Sequence, residues 1–306
     1  MKYLLRYVAY TLAALLVLAV VGYSVMSYRV YQRTSRHYDI SVDVPQVKHT
    51  KAMIDRGRHV ARIRSCADCH GANYGGETFI DDPLMGSYTG SNLTSGEGGV
   101  ADDYEVRDWA RAIRHGLGPD SKPLIFMPSY EFDNIGDKDL AALIAFFESL
   151  PPVDNRPSAI RIGPMSKFLY LTGGLPQLVS AEIIDHEKQR VPAPEPAVSL
   201  QYGKYLASSC KGCHGENLSG GPIPGVPPSW PRAPNLTPHE TGLADWTYDE
   251  FVTMMRKGKT PGGRTVNSQY MPWKNFRHMS DTEVKALWTY LESLEARPTG
   301  SKTAEQ

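Results

Sequence analysis

Cys66-Ala67-Asp68-Cys69-His70 returns later in the chain as Cys210-Lys211-Gly212-Cys213-His214. Cys-x-x-Cys-His is the attachment sequence of a c-type haem: two thiols at that spacing each bond one vinyl group of a porphyrin, and the adjacent His lies under the iron. The pair uses all four cysteines, so no thiol is left for a disulfide or a catalytic nucleophile. A single Cys-x-x-Cys can also be a redox dithiol or half a zinc site. Here both copies carry the trailing His and a following Gly (Gly71, Gly215). A four-thiol zinc site would have to join motifs 144 residues apart and leave both histidines unexplained. Two covalently bound haem c groups are therefore expected, with Cys66, Cys69, Cys210 and Cys213 as thioether positions and His70 and His214 as iron ligands.

Aligning Cys66 with Cys210 exposes a longer repeat. Gly57-Arg58-His59-Val60-Ala61 answers Gly203-Lys204-Tyr205-Leu206-Ala207, and Asn92-Leu93-Thr94 answers Asn235-Leu236-Thr237. Tyr104 to Gly116 answers Trp246 to Gly258, Met127-Pro128 answers Met271-Pro272, and Asp137 to Leu150 answers Asp281 to Leu294. Two units follow, 51–153 and 197–298, each read as three helices. The first helix leads into the Cys motif, with Gly57 or Gly203 allowing close approach of another helix. The second is amphipathic and stops at glycine. The third starts at Asp137 or Asp281, read as N-caps, and carries an apolar face.

The His-to-Met separation is 57 residues in both copies. Proline after Met127 and Met271 restrains the loop and aims the preceding side chain. A thioether sixth ligand favours the ferrous state and closes the iron to substrate. Met127 with His70 and Met271 with His214 are the expected ligand pairs. His59 and His115 do not recur as His in the second copy, which argues against ligation. Asn92 and Asn235 are expected in turns, either at a haem edge or as plain turn chemistry. Arg114 and Arg256 match haem propionates in shape, or else lie on a solvated helix face. Tyr130 and Trp273 follow the ligand methionines and could wall the haem or bond a propionate.

The N-terminus reads as a membrane segment. After a tip at 1–6 with Lys2 and Arg6, residues 7–28 contain no charge. Such a helix is roughly 33 Å long, enough to cross the hydrocarbon layer. Tyr7, Tyr10, Tyr23, Tyr28 and Tyr31 fit interfacial belts. A cleaved signal peptide is the alternative, but the apolar run is long for one and no clean small-x-small site follows it. Arg29, Arg33 and Arg36 after the span leave charge counting undecided. Haem c is attached outside the cytoplasmic membrane, so the expected orientation is a single pass of the bacterial inner membrane with a cytoplasmic N-terminus and periplasmic haem units. A tether at 29–50 follows. A connector at 154–196 has no counterpart in the repeat; it ends in the stiff run Val191-Pro192-Ala193-Pro194-Glu195-Pro196. Residues 165–184 are apolar in patches but broken by Gly173-Gly174 and Pro176, which suits a strap on the haem units, or a surface for lipid or a partner. A tail at 299–306 closes the chain. With 33 basic and 33 acidic residues and no basic run, a nucleic-acid partner is not expected.

Taken with Tyr202-Gly203-Lys204-Tyr205-Leu206-Ala207, Asn235-Leu236-Thr237-Pro238, Arg256-Lys257-Gly258 and Met271-Pro272, these motifs make the chain resemble membrane-anchored dihaem cytochromes c. It looks most like the cytochrome subunits of bacterial periplasmic dehydrogenases of the alcohol type, although those carry three haem motifs and this chain has two. The resemblance covers both units and implies a mainly α protein: an N-terminal transmembrane helix and two tandem class I cytochrome c domains with His/Met ligation. It implies an electron-transfer protein rather than an enzyme, passing electrons from a dehydrogenase or quinol-oxidising complex to a downstream cytochrome or terminal oxidase. Two other roles are weighed: a dihaem subunit of an oxidase complex, and a dihaem peroxidase, which would need an open iron position and an acid–base group beside it.

Overall fold

The computed structural model describes residues 1–188, 192–226 and 229–301. Val191 of the expected stiff run and residues 302–306 of the tail lie outside them. Helix α1 runs Lys2–Thr34, 33 residues, with an apolar window long enough to cross a membrane. It therefore continues six residues into the stretch expected as tether.

Unit one contains α2 (Lys51–Ile63), the short α3 (Ala67–His70), strands β1 (Thr78–Asp82) and β2 (Gly86–Thr89), α4 (Val106–His115) and α5 (Asp137–Glu148). The connector adds β3 (Arg161–Ile162) and α6 (Pro164–Leu171). Unit two contains α7 (Leu200–Ala207), the short α8 (Lys211–His214), α9 (Tyr248–Lys257), the short α10 (Trp273–Phe276) and α11 (Asp281–Glu292).

In each unit the first helix crosses the last at a glycine. A β-carbon on Gly57 would sit 1.9 Å from the Ala142 carbonyl oxygen, and one on Gly203 2.1 Å from that of Ala286. Only a bare α-carbon permits these crossings. The apolar faces read from sequence fill the two cores: Val60, Trp109, Ile113, Leu140, Leu143, Ile144 and Phe147 in one, Leu206, Phe251, Met255, Val284, Leu287, Trp288 and Leu291 in the other. Helices α4 and α9 end at Gly116 and Gly258, both left-handed (φ 65° and 64°). The N-caps of the last helices are Gly136 and Ser280, not Asp137 and Asp281. Those aspartates occupy the first turn instead, where their charge still complements the helix dipole. Ser280 and Glu283 form a capping box.

The small antiparallel sheet β1-β2-β3 has no counterpart in the sequence reading. The connector packs beside it: Leu175, Leu178, Val179, Ala181 and Tyr170 join Tyr88, Leu117 and Val30 of α1 in a third apolar cluster. Residues 164–184 thus strap unit one to the end of α1.

The two units meet about a pseudo-two-fold axis. His59 donates across the interface to Glu283 (2.9 Å); at the equivalent positions, Tyr205 donates to Asp139 (2.6 Å). Asn275 donates to Asp68 (2.8 Å), while its equivalent Glu131 lies against Gly212, the equivalent of Asp68. Arg64 donates to Ser208 (2.9 Å), its own counterpart, and so marks the axis. The duplication packs its copies in the isologous manner of a symmetric dimer.

Candidate haem sites

The two attachment motifs are built by the same local network. His70 accepts a backbone bond from Gly76 at its carbonyl (2.8 Å), and His214 one from Gly220 (2.8 Å). Tyr74 and Leu218, four residues past each His, share a left-handed backbone (φ 59° and 61°). Their carbonyls accept from Leu93 and Leu236 (2.8 and 2.9 Å), which brings each Asn-Leu-Thr turn beneath the motif. The residue just before that turn then orients the imidazole. His70 Nδ1–H donates to the Ser91 carbonyl and His214 Nδ1–H to the Pro234 carbonyl, both 2.8 Å. This fixes the tautomer and leaves Nε2 with a free lone pair, the usual arrangement for a metal-binding His, whose other ring nitrogen donates to a carbonyl. Burial lowers the pKa of both imidazoles, with the carbonyl bond opposing.

Asn92 and Asn235 build the turns, and Ser91 and Leu93 on either side of Asn92 line the unit-one cavity. Each asparagine is buried and uses its side-chain oxygen to accept from the following Thr, while its amide donates to the chain beyond the last helix: Asn92 to Val153 (2.7 Å), Asn235 to Arg297 (2.6 Å).

Met127 and Met271 enter tight turns of the same shape, with Pro128 at φ −79°, ψ 51° and Pro272 at φ −78°, ψ 50°. In unit one Met127 lines a cavity of about 340 Å³ together with Cys66, Cys69 and His70. Phe126 before it has a left-handed backbone (φ 65°), held by an amide bond to the Leu178 carbonyl (2.9 Å) and by ring contact with Tyr88 (centroids 4.7 Å apart). Sheet and connector therefore set the Met127 loop. Ser180 of the connector also donates to the Met127 carbonyl.

The same cavity is walled by Trp109, whose indole N–H is buried and has no partner among the described residues. A donor stranded in an apolar pocket beside two thiols, a His and a Met fits a haem, whose carboxylates accept such bonds. The sequence reading took Trp109 only as core. The alignment sets Phe251 opposite it, so the lone polar edge on an otherwise apolar face was the available signal.

Arg114 and Arg256 hold neighbouring helices together; Arg114 is not among the residues lining the unit-one cavity, although its Nη1 is buried without a partner among the described residues. Arg114, 1% exposed, donates to the Ile135 carbonyl (2.6 Å) and to Asp137 (2.6 Å). Arg256 donates to the Arg277 carbonyl (2.7 Å), the Met279 carbonyl and Asp281 (2.8 Å). Each ties the end of the second helix to the start of the third, because that start presents carbonyls and a carboxylate matching a guanidinium fork. The Trp273 indole donates to the Val266 carbonyl (3.0 Å) and its ring covers Gly258. Tyr130 faces the other unit, where its hydroxyl donates to Glu131 (3.1 Å) beside Gly212.

Two charged residues unnoticed in the sequence stand between the motifs. Arg64, buried, reaches Ser208, Ser209 and the Tyr205 carbonyl, and its charge acts on the thiols of Cys66 and Cys210. Glu131 acts on Cys69, Cys210 and Cys213. Burial pushes the Cys66, Cys69 and Cys210 thiols up to about 12 and Cys213 to about 11. These are not the lowered thiols of a redox dithiol.

Comparison with known proteins agrees with this geometry. Residues 200–295 match the cytochrome c family model, and residues 52–147 match that of cytochrome c oxidase, cbb3-type, subunit III. The cytochrome c subunit of the quinone-dependent alcohol dehydrogenase of Gluconobacter oxydans is 28% identical over 83% of this chain and 57% of its own length. The gluconate 2-dehydrogenase cytochrome c subunit of Pantoea cypripedii is 27% identical over 83% of this chain and 61% of its own. A dihaem c-type cytochrome of Cereibacter sphaeroides is 23% identical over 79% of this chain and 86% of its own. The chain thus spans less than two thirds of the two dehydrogenase subunits. Its two halves are cytochrome c domains, each with one covalently bound haem c, and the chain is homologous to cytochrome c subunits of dehydrogenases and to a dihaem cytochrome c.

Proposed function

We propose that this chain is a membrane-anchored electron relay. It takes electrons from a periplasmic dehydrogenase or quinol-oxidising complex and passes them to a downstream cytochrome or terminal oxidase. The observation that carries the reading is that two attachment motifs of the same local build face one pseudo-two-fold interface, where Arg64 and Glu131 act on thiols of both.

Bound haem c supplies reversible one-electron chemistry between ferric and ferrous iron. The protein's part is to hold it. His70 and His214 would ligate the iron through Nε2, and Met127 and Met271 would supply its sulfur ligands. The apolar walls exclude water, which keeps reorganisation small and leaves no position for peroxide. Residues 7–28 of α1 cross the bacterial inner membrane with the N-terminus in the cytoplasm, because haem c is attached on the export side. Anchoring keeps the relay at high local concentration beside its partners.

The homologous dehydrogenase subunits favour a dehydrogenase as donor. The match of residues 52–147 to an oxidase subunit favours a second reading, a dihaem component of an oxidase complex. Purification from detergent-solubilised membranes tests both. Two low-spin haems per chain with the far-red sulfur-to-iron absorption band, and a dehydrogenase or quinol-oxidising complex in the same fraction, are expected. A stoichiometric oxidase instead selects the second reading. A high-spin spectrum with peroxide turnover overturns both.

A further inference from the structure

Helix α6 lies along the C-terminal end of α1. Lys167 donates to the Tyr23 hydroxyl (3.1 Å) and the Ser27 hydroxyl (3.0 Å). Arg33 pairs with Glu182 (2.9 Å) and stands 4.1 Å above the Tyr170 ring. Tyr23 lies five residues inside the charge-free stretch that ends at Tyr28, about 8 Å at the helical rise. The connector therefore sits beside the last turns of the span, not beyond them.

One face of α6 is spent on the protein: Ser166 and Tyr170 are buried. The other face is apolar and open. Met165 is 41% exposed and Phe168 54%, and Leu84, whose carbonyl accepts from the Met165 amide (3.0 Å), is 58% exposed. Lys167 stands 4.8 Å from the Tyr23 ring centroid and Arg33 4.1 Å from that of Tyr170, so cations and tyrosines line the contact between α1 and α6. Apolar residues beside a cationic rim and an aromatic belt are the pattern of an element lying in the bilayer interface.

We propose that Leu84, Met165 and Phe168 form a second membrane contact, inserted in the interfacial layer of the bilayer that α1 crosses. This rests on the anchor reading. Lipid is the occupant because the edge is continuous with the span and level with its end, where the bilayer surrounds α1. The contact holds unit one against the membrane surface, so that α1 and α6 together set its orientation.

Spin labelling of the haem-loaded full chain tests this. All four native cysteines are consumed as thioethers, so an introduced thiol is unique. Phe168→Cys, Leu15→Cys at mid-span and Leu200→Cys on the exposed start of unit two are labelled and reconstituted in nanodiscs of mixed neutral and anionic phospholipid. Collision with oxygen, which concentrates in lipid, is compared with collision with a water-soluble nickel chelate. The expected oxygen-to-nickel ratio at 168 is several-fold above that at 200 and below that at 15. A water-like ratio at 168 with a lipid-like ratio at 15 overturns the proposal and leaves the anchor standing. Protection of 168 from both reagents overturns it in favour of a protein occupant or a second copy. A water-like ratio at 15 removes the anchor reading and this contact with it.

Discussion

Glu131 reaches from the Met127 loop of one unit into the attachment motif of the other, so close that a β-carbon on Gly212 would lie 2.0 Å from its Oε1. The equivalent contact joins Asn275 to Asp68 with a hydrogen bond of 2.8 Å. Each ligand loop thus touches the middle of the partner motif, but the carboxyl of Asp68 is exposed, whereas that of Glu131 is half-buried.

That carboxyl gives the relay a pH dependence. Burial raises the Glu131 pKa from 4.5 to about 7, against the lowering effects of Tyr130 and Arg64. Above pH 7 its negative charge stands near both motifs and favours the ferric state, so haem potentials fall as pH rises through about 7. In Glu131→Gln that slope disappears. Stability follows the same proton. Between pH 4.5 and 7 the folded protein keeps a proton that the unfolded chain has lost, so stability decreases as pH rises through that window. The decrease is at most about 3 kcal/mol, and the Gln variant lacks it. Redox titration and chemical denaturation at pH 5, 6, 7 and 8 measure the two effects; equal slopes in both proteins would refute the assignment.

The glycine crossings make a sharper stability prediction. In Gly57→Ala the new methyl meets the Ala142 carbonyl at 1.9 Å, and in Gly203→Ala that of Ala286 at 2.1 Å. Both obstacles are backbone, so the helices must separate. Each substitution should cost about 1–3 kcal/mol or more. Gly262 has nothing within 4 Å of its would-be β-carbon, and Gly262→Ala should stay within about 0.5 kcal/mol of the parent. Denaturant midpoints rank the three.

Much of this molecule could be read from sequence because thioether attachment fixes Cys-x-x-Cys-His, and duplication repeats whatever supports it. The helices follow from apolar spacing, and Met-Pro from its constant distance to His. The sheet could not be read: β3 has two residues, and β1, Thr-Phe-Ile-Asp-Asp, has no alternation. The polar pairs across the interface were also hidden. His59 and Glu283 are 224 residues apart, and a polar residue on a helix face looks solvated until its partner is known. Arg114 and Arg256 show the same limit. A guanidinium fork suits a propionate and a helix start equally well, and only the fold decides which is near.

For those arginines the structure predicts stability without redox effect. Arg114→Lys loses the fork on the Ile135 carbonyl and Asp137 inside a buried site, at a cost of about 2–3 kcal/mol. Arg256 is less buried, with its side chain 24% exposed, and Arg256→Lys should cost about 1 kcal/mol. Haem potentials should not move in either variant. A drop in one potential with unaltered denaturation would return Arg114 to a propionate.

The ligand assignment has its own test, and the asymmetry of the two loops sharpens it. Met127→His and Met271→His each exchange a thioether for an imidazole, which stabilises the ferric state. Each should halve the far-red sulfur-to-iron band and lower one of the two potentials by a sizeable part of the roughly 0.8 V range that axial ligands command. The Met127 loop is gripped by Phe126, Ser180 and the sheet, whereas Met271 follows Tyr270, which has no left-handed strain and stacks edge-on against Trp230 (centroids 4.9 Å apart). Releasing the grip should therefore act on one haem alone. In Ser180→Ala the Met127 carbonyl loses the connector's hydroxyl, at about 1 kcal/mol, and the sulfur bond to that iron should break at lower pH and lower temperature than the other. Far-red absorbance followed against temperature would then fall in two steps where the parent falls in closer ones; a single unshifted transition would show that the connector has no hold on the ligand.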